Sequence, residues 1–203
     1  MKRYTILCIA LIVVSSQVWS YGIGYTTHPL VLQKRMISTE FTGILSNGGG
    51  MGLQARYTQK INNQLKFDTG LGIGGGERNS RLFAGLDYEI FPDYQNQPRF
   101  SLKASYENAK EFNNRYNIFS IAPTISKGFS FWGKEAYPFF TLPVGISLNE
   151  NSKKYETIIN ASFGWTGKLP IKGYDHLTTS VEASLNLKNS WGGVFVGLSY
   201  PLN

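Results

Sequence analysis

Polar and apolar residues alternate one by one along the carboxy-terminal part of the chain. Leu177, Thr179, Val181, Ala183, Leu185 and Leu187 form one series, and Thr178, Ser180, Glu182, Ser184, Asn186 and Lys188 form the other. After Asn189-Ser190 the apolar positions become the even ones: Val194, Val196, Leu198, Tyr200 and Leu202. A period of two predicts β-strands with one apolar and one polar face. Both runs exceed the roughly five or six residues usual in globular sheets. They match the ~9–11 residues with which a tilted strand crosses a bilayer.

The same pattern recurs upstream. Strand cores are predicted at 35–46, 51–61, 65–74, 80–91, 98–108, 115–127, 136–148, 155–167, 177–188 and 192–202. Ten is an even number, as single-chain bacterial barrels require; an eight-strand barrel would need two of these runs to fail, the first two being the weakest. Leu82, Ala84, Leu86, Tyr88 and Ile90 oppose Arg81, Asp87 and Glu89, and Phe100, Leu102, Ala104 and Tyr106 oppose Arg99, Lys103 and Glu107. A soluble β-sandwich would alternate too. Strand length, together with Tyr88, Tyr106, Tyr137, Trp165 and Tyr200 near strand ends where interfacial girdles sit, favours a barrel. The predicted fold is all-β, a transmembrane antiparallel β-barrel.

The amino terminus has the pattern of a secretory leader. Lys2 and Arg3 precede the apolar stretch Ile6 to Val14, and Val18-Trp19-Ser20 offers a cleavage site. The expected organisation is a signal peptide at 1–20, a periplasmic lead at 21–34 that could enter the lumen, and a barrel at 35–203. Cys8, the only cysteine, falls in the leader, so the mature chain would hold no disulfide, thiol nucleophile or thiolate metal site. Connections rich in Asn and Gly, such as Asn47 to Gly50, Asn62-Asn63, Gly75-Gly76 and Asn149 to Ser152, suit tight turns. With both chain ends in the periplasm, the outward loops are short and the turns at 92–98, 128–135 and 169–176 are at least as long.

The formal charge of +7 does not point to nucleic-acid binding, because the basic residues are divided between strand faces and turns and are not gathered on one face. Contact with anionic lipid headgroups suits the turn lysines better. The polar strand faces collect Glu40, Arg56, Lys66, Asp68, Arg81, Asp87, Glu89, Arg99, Lys103, Glu107 and Glu182. Charges in a narrow barrel need partners, so a network across the lumen is expected. It would either plug the barrel or set the selectivity of a narrow pore. Inward glycines, Gly70, Gly85, Gly164 and Gly197 among them, would leave room for water or for Phe83, Phe139 and Phe195. Gly70 to Gly75 contains the GxGxxG pattern, but it sits in an alternating strand with another strand following, which excludes a dinucleotide fold. No cofactor, metal or catalytic set is predicted. The two histidines, His28 and His176, lie in the lead and beside a turn, away from any nucleophile.

Gly197, Leu198, Tyr200 and Leu202 resemble the carboxy-terminal signal read by the outer-membrane barrel assembly machinery, with Leu202-Asn203 where a final Phe is commonest. With the leader, the mature chain resembles small outer-membrane β-barrels of the broad opacity-protein and OmpA-barrel type. The resemblance is architectural. It implies a bacterial, Gram-negative outer-membrane location, contact with outer-membrane lipids and lipopolysaccharide, and passage through that machinery during insertion, with a monomer as the default state. A non-enzymatic barrel, structural or a narrow porin-like channel for ions and small solutes, is the expected function. A lipid-modifying barrel enzyme and a surface interaction protein are the rivals.

Overall fold

The computed structural model describes residues 24–202, apart from 46–49, 76–77, 112, 132, 170, 172 and 175. The leader assigned to 1–20, and with it Cys8, lies outside the described residues. The strands are β1 (Arg35–Ile44), β2 (Gly50–Lys60), β3 (Leu65–Gly74), β4 (Arg78–Phe91), β5 (Arg99–Glu111), β6 (Asn114–Ser126), β7 (Phe129–Phe131), β8 (Lys134–Thr141), β9 (Val144–Asn149), β10 (Tyr155–Lys168), β11 (Thr178–Lys188) and β12 (Gly193–Leu202). Every pairing is antiparallel, and β12 closes the ring on β1 from Arg35↔Leu202 to Ile44↔Gly193. We call the end marked by Arg35 and Leu202 the terminal end and the opposite one the far end.

β8 and β9 are two halves of one stave. On β6 their register is continuous, Ile121↔Val144 before the gap and Thr124↔Thr141 after it. The sequence pattern predicts an unbroken strand over 136–148, but Pro143 has no N–H to give the ladder. Its carbonyl still accepts from the Asn160 amide at 3.0 Å, and the Leu142 amide donates to the Pro123 carbonyl at 3.1 Å. β7 pairs only with β8, as a short hairpin extension. The closed barrel therefore has ten staves.

Burial follows the alternation. On β1, Met36, Ser38, Glu40, Thr42 and Ile44 are buried while Ile37 and Phe41 are exposed. Leu71, Ile73 and Phe119 are 58%, 62% and 62% exposed, and large apolar side chains continue around the outer wall. So extensive an apolar surface is incompatible with a water-soluble monomer and matches bilayer hydrocarbon. Closure also leaves none of the ten staves at a sheet edge, a condition lipid imposes on any spanning sheet. The buried face is polar, the reverse of a sandwich core.

Asparagines form two of the turns. Asn62 Oδ1 accepts from the amides of Gln64 and Leu65 at 2.9 and 2.8 Å, and Asn149 Oδ1 from those of Asn151 and Ser152 at 2.9 and 3.1 Å. Among the aromatics expected in girdles, Tyr88, Tyr106, Trp165 and Tyr200 face outward. Tyr137 does not. On β8 the register puts Phe139 inside and Phe140 outside, so Tyr137, two residues before Phe139, also turns into the barrel.

Candidate functional site

The polar strand faces converge on the lumen, and the antiparallel register sets which charges meet. Lys66 on β3 stands directly opposite Asp87 on β4, with Nζ 3.3 Å from Oδ2. Arg99 on β5 reaches the same Oδ2 at 2.8 Å and Glu89 Oε2 at 2.7 Å. On the other side of the network, Arg56 Nε is 3.0 Å from Glu40 Oε1 and Nη2 donates to Glu40 Oε2 at 3.0 Å. This two-pronged geometry suits a planar guanidinium. Gln54 also donates to Glu40. Arg81 Nη2 lies 2.5 Å from Glu107 Oε2.

Two glycines let side chains from non-adjacent strands meet. Asp68 on β3 and Lys103 on β5 are separated by β4, yet Lys103 Nζ donates to Asp68 Oδ2 at 2.8 Å. Gly85 of β4 lies beneath that bond; a Cβ there would come within 2.9 Å of both Asp68 Oδ1 and Lys103 Cε. Gly70 does the same for Phe83, whose ring would be 2.5 Å from a Cβ at that position. Phe83 lies between Arg56 and Arg81, with their guanidinium carbons 5.2 and 5.4 Å from its centroid. The open question about the inward glycines is thus answered at these two positions: side chains fill the space they leave.

The lead completes the plug. Residues 24–30 lie inside the barrel, with Tyr25, Thr27 and Leu30 buried. The Tyr25 amide donates to Glu182 Oε2 at 2.6 Å, so Glu182 binds the lead where the other predicted carboxylates bind cations. Lys103 Nζ sits 5.2 Å from the centre of the Tyr25 ring. Thr27 Oγ1 donates to the Tyr137 carbonyl at 3.2 Å, and the His28 ring meets the Tyr137 ring edge-on at 5.8 Å. At the terminal end the Gln33 amide donates to Lys60 O and the Lys60 amide to Lys34 O, both at 3.2 Å, leading the chain into β1. Of the two paths open to the lead, before the barrel or partly in the lumen, residues 24–30 take the second. Its buried side chains fill space that the glycines and short side chains of the wall leave open. Period-two reading has no signal for a segment that is not a strand.

Between far and terminal ends the lumen is pinched. A far-end cavity of about 170 Å³ and a terminal-end cavity of about 190 Å³ flank a gap of about 20 Å³ at Tyr25, Thr27, Asp87, Arg99 and Lys103. All eleven charged residues singled out by sequence line this interior, with Glu89 the most exposed of them. Gly197 of the terminal signal faces inward beside Glu40, and Leu198 and Tyr200 face outward. The histidines are not brought together: His28, on the lead, packs against Tyr137 of β8, while His176 lies between Tyr174 and the outward Tyr200. Burial, followed by the charge of Lys66, lowers the His28 imidazole to about 4, although Glu135 acts the other way.

A closed ten-stave barrel with an apolar belt and a charged lumen is a transmembrane β-barrel of the outer-membrane type. No protein-family model matches the chain, and no curated protein matches it. Among solved structures, a de novo designed transmembrane β-barrel is similar over 85% of this chain and 98% of its own, at 12% identity and a TM-score of 0.42. Ail, the attachment invasion locus protein of Yersinia pestis, solved with the heparin analogue sucrose octasulfate, is similar over 83% of this chain and 97% of its own. Its identity is 9% and its TM-score 0.32.

Proposed function

We propose that this protein is a non-enzymatic integral outer-membrane barrel that is closed to solute flow, a structural scaffold and not a porin. The observation that carries this reading is the pinch of about 20 Å³, where the lead crosses the ion-pair network. Salt bridges in a buried lumen resist separation because each would leave an uncompensated charge. The terminal end faces the periplasm on this reading. The last strand, with Gly197, Leu198, Tyr200 and Leu202, serves the assembly machinery, and the outer wall contacts outer-membrane lipids and lipopolysaccharide.

The test is planar-bilayer conductance of the refolded chain from residue 21, after heat-modifiable migration has shown it to be folded. Silence is expected across a range of voltages. Stable unitary steps that scale with salt would overturn the proposal in favour of a narrow pore, with Arg99 and Glu107 as the first positions for charge reversal.

A further inference from the structure

We infer that the outer wall at the far end of β5 and β6 holds a bilayer lipid with a phosphate monoester headgroup, its phosphate on Lys110 and Arg115 and its chains in the groove beneath them. The inference deepens the lipid contact proposed above and rests on that wall facing lipid. Lys110 and Arg115 are cross-strand partners, and the alternation of both strands turns them outward. Like charges directly opposite one another destabilise a strand pair unless an anion joins them. Among the described residues, no ion pair involves either of them. The carboxylates nearby in the chain are engaged elsewhere: Glu111 lines the lumen, and Glu150 accepts from Asn117 Nδ2 at 2.6 Å. Lys153 and Lys154, exposed in the connection between β9 and β10, add two more cations. Asn151 in that connection donates from Nδ2 to Asn114 Oδ1 at 2.7 Å, which ties it to the start of β6. Near the far ends of β1, β3 and β11, by contrast, Leu45, Ile73 and Leu187 keep the outer wall apolar.

The rows beneath the cations follow the outline of a lipid. In the next outward row Asn108 faces Asn117, and the Tyr106 hydroxyl donates to Asn117 Oδ1 at 2.8 Å. A tyrosine with its ring in the apolar belt and its hydroxyl on polar groups marks the border of the hydrocarbon. The Tyr106 ring packs on Phe119 with centroids 4.8 Å apart. Both rings line an apolar groove of about 860 Å³, within the ~300–1,000 Å³ of small-molecule sites. The short side chains of Ala84 and Ala104 give the groove its depth, and Leu86, Ile121 and Ile146 extend its walls. Alkyl chains are what a bilayer supplies to such a recess. The cation pair selects the headgroup. A phosphate monoester carries roughly −1.5 to −2 charge at pH 7 and so matches two adjacent cations, where a phosphodiester brings a single charge. A guanidinium also engages two phosphate oxygens at once.

The experiment is native mass spectrometry of the folded chain from residue 21, released from detergent micelles that hold dioleoyl phosphatidic acid or, separately, dioleoyl phosphatidylglycerol. The buffer is set to about pH 8, above the second phosphate pKa of about 6. One saturable adduct is expected with phosphatidic acid, about tenfold tighter than with phosphatidylglycerol. K110Q/R115Q should remove that preference, and A104F, which fills the groove, should weaken the phosphatidic acid adduct about tenfold, with heat-modifiable migration unchanged in both. No saturable adduct, equal affinity for the two lipids, or full preference retained in K110Q/R115Q would overturn the inference. Displacement of the lipid by inorganic phosphate at equal concentration would also overturn it, in favour of a free-anion site, as would full affinity in A104F. None of these readings depends on conductance, so an open lumen and an unoccupied wall are told apart.

Discussion

Arg56 shows how much depends on single side chains in this lumen. It is almost fully buried, grips Glu40 with two nitrogens and lies against Phe83. Replacing it with methionine strands the Glu40 carboxylate, and loss of one partner from a buried pair costs ~3–5 kcal/mol. R56M should lower the urea midpoint of the folded barrel accordingly, read by heat-modifiable migration. Adding E40Q should recover most of the loss; a double variant as unstable as the single one would show that the guanidinium acts mainly by packing on Phe83. The glycines make a complementary prediction. At Gly70 a methyl group meets the Phe83 ring and the Ala55 carbonyl, so G70A should cost ~1–3 kcal/mol, as overpacking does. F83L in the same chain should relieve part of it.

Among the elements, the lead carries a titratable group of its own. His28 sits on it, against Tyr137, and its imidazole is lowered from 6.5 to about 4. A depressed histidine is neutral in the folded form while the unfolded chain still takes up the proton. Its contribution is therefore fully present above about 6.5 and declines as pH falls towards about 4. Stability measured from pH 7 to pH 4 should fall less steeply in H28Q than in the native chain, which separates this group from the carboxylates that titrate over the lower part of that range. Identical slopes would mean that His28 is protonated without cost where it sits. The split stave β8–β9 is set by Pro143, and its neighbours stay in register because hydrogen bonds at Pro123 and Pro143 carbonyls bridge the gap.

For the whole molecule, the plug separates a far-end chamber from a terminal-end one. Removing residues 21–30, which include the buried Tyr25 and Thr27, should open the waist while the closed ring of strands remains. Unitary conductance is expected from that variant and not from the full mature chain. A silent variant that is still folded would show that the ion-pair network alone closes the lumen.

Alternation along the chain determined the strands, their antiparallel order and which charges face inward, because a strand's side-chain period is two whatever surrounds it. Leu71 and Leu198 were legible as outer-wall residues, and Arg81 and Asp87 as lumen residues, from that period alone. It did not reveal which inward charges pair. Lys103 meets Asp68 across an intervening strand, and only the curvature of the closed sheet and the missing side chain of Gly85 bring them together. Nor did it place Tyr25 at the centre of the lumen, because the lead carries no repeat from which to read its path. Tyr137 shares its strand face with the inward Phe139, so the same period that placed Phe139 turns it inward, against its assignment to a girdle. One-dimensional periodicity determined the wall; what fills the wall was decided by volume and charge in three dimensions.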